Sequence, residues 1–121
     1  MMKYTEDHEW LLIADGVATI GITDHAQNAL GDVVFVEVPE VGAEFAQGDE
    51  AAVVESVKAA SEVYAPITGT ITQVNEDLET DPSLVNTAPL DGGYFFKITV
   101  ADASELDTLM DEAAYNDFIA E

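Results

Sequence analysis

Apolar and polar positions alternate in short runs along most of the chain, the period expected of half-buried strands. Residues 10–14 and 17–22 carry that pattern on either side of Asp15-Gly16. Both positions of such a two-residue turn need positive φ, so the pair predicts a tight hairpin. A third strand is predicted at 33–38, closed by Pro39. Two more flank Lys58 within 51–65, and Pro66 and Gly69 break the chain before another at 70–74. The last is expected at 94–100, entered through Gly92-Gly93.

Helical spacing is rarer. Asp24 as N-cap, Gln27 three residues on and Gly31 as a stop predict a two-turn helix over 24–30. Asp81-Pro82 predicts a single turn running through Val85. From Ser104 onward, Leu106, Leu109, Met110, Ala113, Ala114 and Phe118 share one helical face. That stripe predicts a C-terminal helix over 104–119, packed on the core. Strand, turn and strand repeat on both sides of Lys58. Two similar half-motifs meeting at one hairpin point to a flattened barrel or sandwich with pseudo-twofold symmetry, the lysine at the join.

Charge singles out that lysine. The chain holds 25 Asp and Glu against three Lys and no Arg, a formal net charge of −22. β-Prone residues run into and out of Lys58, while its nearest neighbours, Ser56, Val57, Ala59 and Ala60, are small. This is the pattern of a hairpin presenting one amine at its tip, with nothing bulky to block an approaching enzyme. A lysine amine in water is protonated at neutral pH and attacks poorly, yet it is a good handle for covalent attachment. Lysines also serve simply to block strand edges against aggregation, so the remaining residues must decide between the two uses.

At 121 residues the chain is expected to form one domain, 1–121, with its own core. It has no cysteine, so any sulfur chemistry would arrive on a cofactor. The acidic balance excludes a nucleic-acid footprint and disfavours anionic membranes. It favours a soluble monomer that is steered toward basic surfaces on partners. The first ten residues resemble neither a secretory signal nor a transit peptide, so a cytoplasmic protein is expected. No run approaches a membrane span.

Catalytic and metal motifs are missing. His8 and His25 lack the spacing of a ligand set, and read as capping or surface residues. Residues 75–86 superficially resemble a calcium loop, but Thr80 stands where glycine is required and Asn86 where a bidentate Glu is required. With 25 carboxylates, a close acid pair carries no weight. Such a chain would borrow its chemistry from a cofactor or partner.

Several segments in order do resemble one family, the H protein of the glycine cleavage system. They are His8-Glu9-Trp10, the stretch 17–27 ending Thr23-Asp24-His25-Ala26-Gln27, and 30–39 beginning Leu30-Gly31-Asp32. Glu55-Ser56-Val57-Lys58-Ala59, Pro66-Ile67-Thr68-Gly69, Val74-Asn75 and Leu84-Val85-Asn86 follow. The resemblance implies a mainly β barrel-sandwich hybrid with lipoate in amide linkage on Lys58, and Glu55, Ser56, Val57 and Ala59 as the recognition context. It implies a non-catalytic shuttle that carries an aminomethyl group from the pyridoxal-phosphate glycine decarboxylase to a tetrahydrofolate-dependent aminomethyltransferase. Dihydrolipoamide dehydrogenase would reoxidise the arm, and lipoylating enzymes would install it. Glu9 is the implied contact for the loaded arm, and because it adjoins Trp10 in sequence, acid and ring together are expected to form one wall of a cleft. Ala29 stands where relatives can carry a polar residue, and it offers the arm no hydrogen bond.

Three other readings compete. A biotin carrier shares the hairpin logic, but its lysine lies between methionines, and Met1, Met2 and Met110 are all distant from Lys58. A lipoyl domain of a 2-oxo-acid dehydrogenase would be shorter and would lack the C-terminal segment. An unmodified acidic adaptor would bind partners only.

Overall fold

A computed structural model describes residues 2–120. Among these residues, nine strands form two antiparallel groups. One is a six-stranded sheet in the order β1 (Met2–Tyr4), β2 (Glu9–Ala14), β3 (Val17–Ile22), β9 (Phe96–Thr99), β8 (Gly69–Val74), β5 (Glu44–Phe45). The other is a three-stranded sheet with β6 (Glu50–Ser56) between β4 (Val33–Glu37) and β7 (Ala60–Tyr64). This is the expected mainly β barrel-sandwich architecture.

The β2–β3 hairpin turns where Asp15-Gly16 predicts, with φ of 54° and 76° at the two positions. Alternation then does the rest. Leu11, Ile20 and Ile98 from the larger sheet meet Val36, Val54 and Val63 from the smaller one, all almost fully buried. Phe95 and Phe96 fill the middle. Burying a side chain of this kind contributes roughly 1.5–3 kcal/mol, so this interlayer core outweighs any single polar contact.

Helix α1 (Asp24–Leu30) has the predicted length but a different cap. Thr23, not Asp24, is the N-cap, and its hydroxyl accepts from the Ala26 N–H at 3.2 Å. Asp24 instead binds the side chains of Gln27 and Asn28 from inside the first turn. The turn expected at 82–85 forms two residues later as α3 (Leu84–Thr87), preceded by α2 (Asp77–Thr80), which buries Leu78. Lys3 lies in β1 and pairs with Leu11 of β2.

The predicted C-terminal helix is broken in two. Ala103–Thr108 forms a 3₁₀ helix and Glu112–Ile119 an α-helix, α4. Met110 lies between them because its N–H and C=O pair with the C=O and N–H of Tyr4, at 2.9 and 2.8 Å. A backbone committed to a strand partner cannot also continue a helical ladder. Asp111 then restarts the chain as the N-cap of α4, accepting from Ala114 N–H.

Candidate functional site

Lys58 stands exposed at the tip of the β6–β7 hairpin, in a turn that Ser56 closes. The Ser56 hydroxyl accepts from the N–H groups of Lys58 and Ala59 at 3.2 and 3.1 Å and donates to the Ala59 carbonyl. A serine here satisfies local donors that a tight turn would otherwise leave to water. Glu55 pairs with Ala60 in register and points outward, and the Val57 side chain is 68% exposed. All five residues of the pentapeptide are therefore together at one solvent-facing end.

The tip is not free to swing as a whole. Val57 donates its N–H to the Asp32 carbonyl at 3.0 Å, tying the turn to the link between α1 and β4. The aliphatic stem of Lys58 lies over Gly31, where a Cβ would sit 2.9 Å from the lysine Cε. Gly31 also has φ of 80°, a conformation that side chains resist. The positive φ is what demands glycine there; a Cβ would only push the flexible lysine stem aside.

Beside the hairpin opens a cleft of about 190 Å³. Ala26, Ala29 and Leu30 of α1 form one wall, and Val54, Ser61, Glu62 and Val63 of the hairpin form the other. Ser61 lies three residues from Lys58, roughly 10 Å along a strand, so an extended group on the lysine can fold back into the opening. Asp7, His8 and Glu9 close its far end.

Glu9 is 2% exposed, an unusual state for an acid in a chain that carries so many on its surface. One carboxylate oxygen accepts the Tyr64 N–H at 2.7 Å and the other the Thr5 hydroxyl at 3.1 Å. Burial outweighs these bonds and pushes its pKa from 4.5 up to about 7. Near neutral pH this group can therefore hold or release a proton, or meet a cation. Glu9 also lines a larger cavity of about 370 Å³ with Tyr4, Gln47, Tyr64 and Pro66. That cavity lies at the opposite end of β7 from Lys58.

Trp10 does not wall the cleft as expected. Alternation along β2 turns its ring to the other face, where it packs on Gly21 and donates its indole N–H to the Pro89 carbonyl at 2.9 Å. His8 goes a third way. Its ring stacks on His25 at 4.5 Å, and its Nδ1 shares a 2.9 Å hydrogen bond with the Tyr115 hydroxyl, which also bonds Thr23 at 2.7 Å. Nothing in the spacing of His8 and His25 announced this pairing, because β2, β3 and α1 must fold before the rings meet.

A lysine on a stapled hairpin tip, beside an apolar cleft with an acid buried at its end, is the geometry of a carrier domain. The model of the glycine cleavage H-protein family matches residues 2–121. Glycine cleavage system H proteins of Parvibaculum lavamentivorans and Phenylobacterium zucineum are 58% and 60% identical, each over 98% of this chain and covering 94% and 98% of the relative. The one from Thermotoga maritima is 54% identical over the whole chain and 98% of its own length. A crystal structure of the H protein of Mycobacterium marinum superposes with a TM-score of 0.89 at 36% identity, covering 97% of this chain and 94% of that one. The chain belongs to the glycine cleavage H-protein family, the lipoyl carriers of that system.

Proposed function

We propose that Lys58 carries lipoate in amide linkage, and that the attached arm folds back into the α1–β7 cleft, where Glu9 meets the amine it bears. The observation that carries this reading is the arrangement itself: one exposed lysine, its stem laid over Gly31, and an apolar cleft ending in a buried carboxyl within reach. When bound, the lipoyl group supplies a disulfide that accepts a one-carbon unit and electrons. Everything else falls to the chain. Ala26, Ala29, Leu30, Val54 and Val63 exclude water from the arm, and their small or aliphatic side chains suit a hydrocarbon tether. Glu9 holds a cationic amine through a charge-assisted hydrogen bond, worth on the order of 1.5–3 kcal/mol in a partly desolvated site. Ala29 makes no polar contact, so Glu9 is the main polar anchor, with Glu62 at the rim.

The protein then serves glycine decarboxylase, the aminomethyltransferase and dihydrolipoamide dehydrogenase in turn, as a cytoplasmic monomer that catalyses nothing itself. Its acidic surface favours encounter with basic faces on those partners. The experiment is modification of the purified chain by a lipoate ligase, followed by intact mass and peptide mapping. A single adduct on Lys58, and none on Lys3 or Lys97, is expected. An adduct on either of those lysines, or biotin in its place, overturns the reading.

A further inference from the structure

The link over residues 31–33, which supports the lysine tip, is itself held from a distant part of the chain. Asn86 of α3 uses its whole amide on it. Oδ1 accepts the Val33 N–H at 2.8 Å, and Nδ2 donates to the Gly31 carbonyl at 2.8 Å and to Gln27 Oε1 at 2.9 Å. Gln27 is oriented in turn by donating its own amide to Asp24 Oδ1 at 2.8 Å. From the link, two contacts pass to the tip: the Asp32 carbonyl receives the Val57 N–H, and Gly31 lies under the Lys58 stem.

We infer that Asn86 is a positioning residue for Lys58, acting through Gly31 and Asp32 to present the lysine in one orientation. The inference deepens the lipoyl-carrier reading and rests on it for its functional consequence. Its physical basis is the glycine. A residue without a Cβ visits many backbone conformations, so a lysine laid on Gly31 is only as fixed as Gly31 is. Hydrogen bonds to Gly31 and to Val33 bracket that freedom from both sides. Only a carboxamide meets an N–H with one arm and a carbonyl with the other. A carboxylate would set oxygen against the Gly31 and Gln27 oxygens, and a hydrocarbon would leave the Val33 N–H without its acceptor. A pre-oriented lysine spares the modifying enzyme the ordering of the turn.

Asn86→Asp is the test, with Gln27→Leu as a milder variant that removes one of the three partners. Two readouts separate positioning from bulk stability. Amide exchange at Val57 and Lys58, followed by NMR on the unmodified protein, is expected to accelerate in both variants while exchange in β2 and β3 stays as in the wild type. Lipoylation by a lipoate ligase is expected to show KM for the unmodified protein raised about tenfold in Asn86→Asp at unchanged kcat, because only the oriented fraction binds. A lowered melting temperature with unchanged Val57 exchange and unchanged KM overturns the inference. Should Asn86→Asp not fold, unchanged Val57 exchange in Gln27→Leu overturns it alone. A wild-type chain that the ligase does not modify refutes the carrier reading instead, and Val57 exchange still decides the positioning role.

Discussion

Lys58 stands in water on a turn of small residues, whereas Glu9 is sealed beneath Tyr64 and Thr5 at the other end of the same cleft. The two groups answer to different physics. An exposed amine costs the fold almost nothing, because its charge stays solvated and only its stem touches Gly31. A buried carboxyl must either give up its charge or be stabilised by donors, and the two donors at Glu9 fall short of what burial removes. The exposed lysine is thus a property of local sequence, and the acid at the cleft's end is a property of the assembled sheets, held against the preference of the fold.

The largest effect expected from breaking this contrast is at the tip. Lys58→Arg keeps the charge but removes the acylatable amine, so modification is lost entirely. Stability should move by less than about 0.5 kcal/mol, as for ordinary surface changes. Intact mass and a melting curve on the same sample check both halves. A melting temperature shifted by many degrees would mean that the lysine supports the fold after all.

Glu9→Gln should behave in the opposite way, gaining stability while losing function. With its folded pKa raised, Glu9 binds protons more tightly in the folded chain than in the unfolded one. Its contribution is fully present below pH 4.5 and is lost as pH rises through about 7. Glutamine mimics the protonated form at every pH. Variant and wild type should therefore match at about pH 4 and diverge toward about pH 8.5, the variant ahead by on the order of 3 kcal/mol. Denaturant titrations at the two pH values measure it, and a constant difference across pH would show that Glu9 ionises freely. In the lipoylated, amine-loaded protein the same change should shorten the adduct's lifetime.

Tyr115→Phe comes next. Its hydroxyl serves both Thr23 and His8, so its loss strands part of two groups and should cost about 1–2 kcal/mol. α4 should loosen first, seen as faster amide exchange in Glu112–Ile119, because Tyr115 is the buried residue of that helix and stacks on Tyr4 at 4.6 Å.

These differences track what the sequence could reveal. The strands beside Asp15-Gly16 and Lys58 are legible because alternation and turn chemistry act over a few residues. Ser56 is legible as part of the recognition motif, although its role as a staple of the turn is seen only in the fold. The helix over 104–119 is misread because its apolar stripe is genuine, but Tyr4, more than a hundred residues away, claims the Met110 backbone. Thr23 takes the cap from Asp24 by reach, not by propensity, since its hydroxyl lies where the Ala26 N–H points. Glu9 was nameable by resemblance alone. Its burial, and the turning of Trp10 to the opposite face, follow from the pairing of β1, β2 and β3.

The smallest expected effect concerns His8, the neighbour of Glu9 at the cleft's end. Its pKa lies below the usual 6.5, first through burial and second through the like charge of His25 stacked upon it, with Asp7 opposing both. A histidine depressed in this way costs stability as pH falls below about 6.5, because the unfolded chain takes the proton more readily. Glu9 works in the other direction over its own range, so the two partly cancel in the wild-type profile, and only the variants separate them. Replacing His25 with Gln removes the secondary cause and leaves the primary one. The His8 midpoint, read from its ring proton by NMR, should rise only part of the way toward the ordinary value. Full recovery would mean that the stacked partner, not burial, governs His8. In that case the end of the cleft near His8 is wetter than its packing against Tyr115 implies.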